Sequence, residues 1–179
     1  VKAVSTGRSL PPVHKWHPDH SGEMDMRIAR DGTWYHEGSP INRPELVRLF
    51  SPILRKDDDG YVLVTPVEKW GITVDDAPFV AVDFDVEGEG EDQVLTFLTN
   101  VGDSAAAGPD HPMRFERDPD SGEPSPYVLI RDRLEALIDR KSFYRLVGLA
   151  VEHHHEGQDW VGVWSGGVFF PLQPSDELT

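Results

Sequence analysis

Apolar and polar residues alternate at the start of the first clear element. Met26 and Ile28 alternate with Arg27 and Ala29, the period of a half-buried strand. Asp31-Gly32 then reads as a two-residue hairpin turn, because both central positions of a type I′ turn want positive φ. The returning strand carries Thr33, Trp34, Tyr35 and His36, and Gly38-Ser39-Pro40 stops it. A helix is predicted over residues 43–55. Asn42 and Glu45 have capping-box spacing, and Pro44 suits a first turn. Leu46, Leu49, Phe50, Ile53 and Leu54 form one apolar stripe. Pro52 interrupts it, so a kink or an early end is expected there. Strands follow at Tyr61–Thr65 and Ile72–Val74, separated from the helix by the turn Asp57–Gly60.

The second half repeats the alternation in Val80, Val82, Phe84 and Val86, and again at Val94–Val101, where Leu95 and Phe97 share a face. Residues 102–125, rich in Gly, Pro and Asp, read as a long loop, and Tyr127–Ile130 as a strand. Asp132 and Glu135 repeat the capping-box spacing ahead of Leu134, Leu137 and Ile138. Ser142 heads the stripe Phe143, Leu146, Val147, Ala150 and Val151. Two short helices are therefore predicted across 133–152. A last hairpin joins Trp160–Trp164 to Val168–Leu172 through Ser165-Gly166-Gly167. Each half places hairpins around helix. The pattern predicts an α+β fold of two β-rich subdomains with a duplicated hairpin–helix motif, although no sequence repeat of fixed period is present. The expected organisation is an N-terminal arm over 1–22, a first subdomain over 23–78 and a second over 79–175. The two helices are expected on separate sheets, and Trp16 is expected to pin the arm.

Composition narrows the chemistry. In 179 residues, 32 acidic side chains outweigh 17 basic ones, for a net charge of −15. Such a surface repels polyanions and anionic membranes on average, so nucleic acid and membrane are not expected partners. A small anion remains compatible with a local basic pocket, because distant charge is screened. Cysteine is absent, which excludes disulfides, thiolate metal sites and cysteine nucleophiles. It suits a reducing cytosol. No run approaches the ~18 apolar residues of a membrane span and no signal peptide is recognisable, so a cytoplasmic location is expected.

Catalytic motifs fail on inspection. Gly88-Glu89-Gly90 lacks the third glycine of a dinucleotide loop, and no phosphate-binding P-loop pattern exists. Ser165 in Gly162–Gly166 stands one position too late for a nucleophile elbow and reads as a hairpin tip. Asp83 and Asp85 share a strand face and read as solvated. Glu152–Glu156 encloses three histidines. On a strand His153 and His155 would share a face, but no third ligand at zincin spacing follows, so the run reads as an exposed polar link. No metal or cofactor is expected. The first hairpin is richer in recognition groups. Arg27 and Arg30 bring forked cations near Trp34 and His36, a combination that suits phosphate or carboxylate and a stacked ring. The same residues serve equally well as a hairpin salt-bridged to Asp25, Asp31 and Glu37 around a buried Trp.

The runs DMRIARDGTWYHEGSPI, LVRLFSPILRKDDDGYVLVTPVEKWGI, DAPFVAVDFDVEGEG, LTFLTNVGD, AGPDHPMRF, PYVLIRDRLEALI and GVWSGGVFFPL resemble the bacterial family called domain of unknown function 1285. The resemblance spans roughly residues 10–173. It implies two α+β subdomains with a duplicated motif, and a C-terminal half superficially like a pleckstrin-homology fold. It also implies a nucleotide-like ligand between the subdomains and a role in signal transduction. It carries no catalytic residue onto this chain, and it does not extend to Glu116–Ser125 or the histidine run. With that interface in mind, the strand-end residues Glu68, Lys69, Asn100 and Asp103 are expected to face Arg27, Arg30, Trp34 and His36 across the cleft. The leading expectation is a regulatory module that senses a small anionic, nucleotide-like molecule. A metal-assisted hydrolase and a protein-interaction scaffold are the alternatives. One outcome follows from charge alone: in a salt-titrated binding assay, random duplex DNA or RNA should not be held at sub-micromolar affinity at physiological salt.

Overall fold

The computed structural model describes residues 10–177, so the part of the predicted arm before Leu10 lies outside the described residues. The chain is β-rich. β1 (Gly22–Ile28), β2 (Trp34–His36), β3 (Ser39–Pro40), β4 (Leu54–Asp57), β5 (Gly60–Val64) and β6 (Lys69–Val74) form one sheet in the order β3-β2-β1-β6-β5-β4. β7 (Phe79–Glu87), β8 (Val94–Thr99), β9 (Ser104–Ala106), β10 (Met113–Arg117), β11 (Pro124–Arg131) and β12 (Leu134–Ile138) form a second, ordered β10-β11-β12-β7-β8-β9. In each sheet the first and last strands lie side by side in parallel, flanked by antiparallel neighbours. β13 (Val151–His155), β14 (Gln158–Ser165) and β15 (Val168–Pro174) make a small third sheet. The helices are α1 (Pro44–Phe50) and α2 (Arg140–Val147).

Several elements depart from the expectations, each for a local reason. The first hairpin turns through three residues, not two. Ala29 N donates to Thr33 O, Gly32 N donates to Ala29 O, and only Gly32 of the pair Asp31-Gly32 has positive φ. That is a type I turn closed by a glycine bulge. α1 is shorter than predicted: its N-cap is Arg43, with no side-chain cap bond, and a 3-10 turn over Ser51–Ile53 ends it where Pro52 stands. Leu54 begins β4 instead of closing the helical stripe.

The predicted loop over 102–125 contains β9 and β10. Of the two short helices predicted across 133–152, the first is a strand and the second is α2. Leu134, Ala136 and Ile138 are buried alternately as β12, and Asp132, at positive φ, turns the chain into it. Leu134-Glu135-Ala136-Leu137-Ile138 satisfies period 2 as well as 3.6, and pairing with β11 and β7 decides between them. Asp139, not Ser142, caps α2 by accepting from Ser142 N at 2.8 Å. Ser142 is buried in the first turn. The histidine run is strand β13 instead of a link, and Glu156-Gly157, both at positive φ, turn it into β14. The helices occupy different places relative to their sheets, α1 between β3 and β4 and α2 after β12, so the expected hairpin–helix unit does not recur in that form.

One hydrophobic core runs through the molecule. Met26, Ile28, Trp34 and Leu54 of the first sheet pack in one cluster with Phe79, Phe97, Val128 and Leu134 of the second and Val163 and Phe170 of the third. α1 adds Val47 and Phe50, whose ring stacks on Trp34 at 6.4 Å. A smaller cluster of Val13, Val62 and Val64, with Trp16 against it, holds the arm on β5. Arg55 reinforces it by donating to Val13 O at 2.8 Å and Trp16 O at 2.7 Å. Ser165, predicted at a hairpin tip, is instead fully buried at the end of β14. Its hydroxyl donates to Ala107 O at 2.7 Å and accepts from Leu95 N at 2.9 Å, tying the third sheet to the second. The turn itself is Gly166-Gly167, both at positive φ.

Two glycines of this framework differ in what a side chain would meet. At Gly162, beside the bulge in β14, a Cβ would strike Phe170 O and lie 2.7 Å from Phe169 Cζ and 2.9 Å from Pro171 Cα. At Gly71 it would meet only the carboxylate end of Glu23, an exposed side chain that can swing away. Gly162→Ala should therefore destabilise by about 2–3 kcal/mol, lowering Tm by roughly 5–10 °C. Gly71→Ala should stay within about 0.5 kcal/mol of the parent, since less unfolded-chain freedom offsets a small adjustment. Parallel thermal and urea melts check both values.

Candidate functional site

The link between β6 and β7 delivers Asp76 to the junction of the two six-stranded sheets. Tyr127 Oη from β11 donates to Asp76 Oδ1 at 2.7 Å, and Arg30 Nε from the first hairpin donates to Asp76 Oδ2 at 2.9 Å. Arg30 Nη2 continues to Ser125 Oγ at 3.0 Å. One carboxylate thus takes donors from both sheets. Burial and the bond to Asp76 push the Tyr127 hydroxyl up to about 12, and Asp76 holds the Arg30 guanidinium in its charged form. Arg131 makes a second junction. It donates to Ser51 O at 2.7 Å and to Asp103 at 3.3 Å, with its guanidinium 5.2 Å from the centre of the Phe79 ring. Arg131 and Asp103 are each only 13% exposed, so the pair is screened little by salt. Asn100 makes a third, accepting from Val80 N at 3.0 Å and reaching Gly32 O at 3.5 Å.

Clefts open along these junctions, and three of them are formed among the described residues. The first, about 210 Å³, is lined by Arg30, Glu123, Pro124, Pro126, Leu137, Ile138, Asp139, Arg140, Phe143 and Tyr144. Its chemistry is mixed: two guanidiniums beside proline and aromatic surface. Arg30 is already held by Asp76 and Ser125. The Arg140 guanidinium has no partner among the described residues, and Tyr144 is 63% exposed. Of the two carboxylates, Asp139 is engaged as the cap of α2. The second cleft, about 390 Å³, lies under the arm and is lined by His14, His17, Pro18, Arg55, Asp57, Asp58, Lys69 and Arg133. The third, about 280 Å³, lies between α1, the first hairpin and Asn100.

The residues singled out from sequence do not converge on one place. Arg30 lines the first cleft and Lys69 the second. Trp34 and Asn100 border the third. Trp34 is 1% exposed and stacked on Phe50, so it supplies core volume and offers no free face to a ligand. Arg27 pairs with Asp75 at 2.7 Å and lies over Tyr35; this pairing lowers the Asp75 carboxyl below its ordinary range. His36 is exposed beside Glu37. Glu68 sits in an exposed turn and accepts from Trp70 Nε1 at 3.3 Å. Asp103 is held by Arg131.

The groups that sequence reasoning missed, Arg140, Phe143 and Tyr144, follow the strand misread as helix, and that error hid the adjacent cations Arg140 and Lys141 at the start of α2. His153 and His155 do share a face, but their rings pack against aromatic carbon. His153 lies 4.8 Å from both Trp164 and Phe169, and His155 lies 5.6 Å from Phe169. Among the described residues no group of three or more His, Asp or Glu is placed to hold a metal ion, and no helix is long and apolar enough to cross a membrane.

Two linked β-sheets with clefts at their junctions define the class of molecule, and comparison with known proteins gives the family. Residues 11–77 match the domain of unknown function (DUF1285), N-terminal domain, and residues 78–172 match the protein of unknown function (DUF1285), C-terminal domain. The chain belongs to the DUF1285 family. It is similar to the crystal structure of a DUF1285 family protein from Silicibacter pomeroyi DSS-3, with 60% identity over 96% of this chain and 91% of that one and a TM-score of 0.88. It is also similar to a DUF1285 family protein from Shewanella baltica OS155, with 27% identity over 69% of this chain and 90% of that one and a TM-score of 0.53. No curated protein matches.

The Tyr127–Asp76 bond has a pH signature. The folded state keeps the phenolic proton to about 12, whereas an unfolded tyrosine releases it near pH 10. Below pH 10 both states are protonated and the contribution is fully present; it is lost as pH rises from about 10 through about 12. Denaturant melts should show that loss, and Tyr127→Phe should flatten it. Absorbance titration should show the corresponding late-ionising phenol disappear in the variant.

Proposed function

We propose that the protein is a ligand-binding regulatory module, and that the cleft beside Arg30 and Arg140 receives a small planar anion of nucleotide-like character. The observation that carries this reading is the pairing of a guanidinium with no partner among the described residues, Arg140, with a second one, Arg30, over a bed of Pro124, Pro126, Phe143 and Tyr144. Guanidiniums grip phosphate or carboxylate through two parallel bonds, and aromatic and proline surface suits a flat ring. Both six-stranded sheets border the cleft, Arg30 from one and β11 and β12 from the other, so an occupant would bias their junction. That is the coupling a sensor in signal transduction requires.

The groups present favour recognition over hydrolysis, because of the cleft's two carboxylates Asp139 is committed to the cap of α2 and Glu123 is left without a second free carboxylate to pair with as acid and base. The identical strand order of the two sheets supports reading them as a duplicated motif. α2, following the last strand of the second sheet, supports the pleckstrin-homology likeness of the C-terminal half. The lack of cysteine supports a cytoplasmic setting.

Thermal-shift titration with mono- and dinucleotides tests the reading. A ligand at 100 times its Kd should add about 2.7 kcal/mol and raise Tm by several degrees. Arg140→Ala should remove that rise while leaving the unliganded melt unchanged, since its guanidinium makes no contact to lose among the described residues. Arg30→Ala should remove the rise and also lower the unliganded Tm, because Asp76 and Ser125 lose a donor. No shift with millimolar nucleotide, or an undiminished shift in Arg140→Ala, would overturn the assignment.

A further inference from the structure

The cleft under the arm has a different chemistry and no part in the reading above. Four segments meet there: the arm with His14 and His17, the β4–β5 hairpin with Arg55, Asp57 and Asp58, β6 with Lys69, and the β11–β12 turn with Arg133. In a chain where 32 acids face 17 bases, three basic side chains against two carboxylates, with two imidazoles beside them, form a local reversal of charge around about 390 Å³.

The pairing inside the cluster leaves part of that charge available. Arg55 is fully engaged, with Nε and Nη2 on Asp57 at 2.7 and 3.2 Å and Nη1 on Val13 O and Trp16 O. It is the clamp of the arm, and it neutralises Asp57, whose carboxyl it holds below the usual range. Lys69 therefore approaches an already compensated carboxylate, and only at 3.5 Å. Arg133 donates through Nη1 alone, to Lys56 O at 3.3 Å and to Asp58 at 3.1 Å. Asp58 is fully exposed and Arg133 is more than half exposed, so water screens that pair. Nη2 and Nε of Arg133 are unused among the described residues. The rings of His14 and His17 have no hydrogen-bond partner there either.

We propose that this cleft is a binding site for a compact phosphate-class oxyanion, held by Lys69, Arg133, His14 and His17. The ammonium of Lys69 supplies a point charge, Arg133 supplies a two-pronged donor, and the imidazoles supply N–H donors from the arm. The occupant joins the arm and the first sheet to the β11–β12 turn of the second. Free phosphate and the phosphoryl end of a larger metabolite present the same chemistry.

Isothermal titration with inorganic pyrophosphate on the full chain, and separately with a nucleoside diphosphate on the full chain carrying Arg140→Ala so that the first cleft does not contribute, tests this. One saturable site for pyrophosphate is expected. Arg133→Ala should weaken it at least 10-fold, as should His14→Ala with His17→Ala, whereas Arg140→Ala should not change it. In NMR spectra the His14 and His17 ring signals should move on titration, and circular dichroism confirms that each variant is folded. Equal affinities would point to a phosphoryl group as the recognised element, and preference for pyrophosphate to a free anion; both support the site. Absence of binding at millimolar pyrophosphate overturns it, as does loss of binding in Arg140→Ala alone. Either failure leaves the Arg140 cleft to be judged by its own titration.

Discussion

The two six-stranded sheets share a single apolar core, and that sharing constrains everything else. Ile28, Trp34 and Leu54 on one side and Phe79, Phe97 and Val128 on the other lie in one cluster, so neither sheet buries its apolar face without the other. Burying such a face is the dominant favourable term in folding. The sheets must therefore meet closely, and polar groups at their junction must find partners there, because an unpaired polar group in a dry seam is costly. Asp76 answers that demand by accepting from Arg30 and Tyr127. Arg131 answers it by joining Ser51 O to Asp103.

The same geometry generates the clefts. Two twisted sheets cannot cover each other to their edges, and the rim is where side chains from distant parts of the chain come together. There the local charge departs from the average. The chain carries −15, yet Arg30 and Arg140 face one rim cleft and Lys69, Arg55 and Arg133 another. Binding of anions to an acidic protein is thus a matter of placement, since charges more than about 8–10 Å away are largely screened at physiological salt. The apolar bed of Phe143 and Tyr144 separates the first cleft from the second, whose surroundings are polar. That difference is the physical basis for proposing different occupants for them.

Membership of the DUF1285 family and the 60% identity to a solved relative agree with the whole-chain resemblance read from the sequence runs. They establish what the chain is related to. Chemistry is set by the side chains at the junctions, because a fold positions groups and does not by itself select a chemistry.

How much was legible in advance divides along physical lines. Strands with one buried face, such as Met24–Ile28, announce themselves by alternation, and Pro52 announces the early end of α1; over Val80–Val86 the alternation misleads, because Phe79, Val80 and Ala81 are all buried, the register shifts at Val82 and Val86 is exposed. Arg30 was legible as a cation near a turn, and Lys69 as a strand-end group. The segment Leu134–Ile138 was not legible, because its apolar spacing fits helix and strand alike and only pairing with β11 and β7 settles it. Trp34 looked like a stacking platform and is core, because burial depends on what covers a residue, not on its type. The grouping of Arg140 with Arg30, and of Arg133 with Lys69, spans more than 60 residues of chain in each case. The sequence by itself determined the strand Met24–Ile28, the early end of α1, the charge and the family. The tertiary structure alone decided which cations share a cleft, because that proximity follows from sheet order and from burial of a common core, neither of which is encoded in any local pattern.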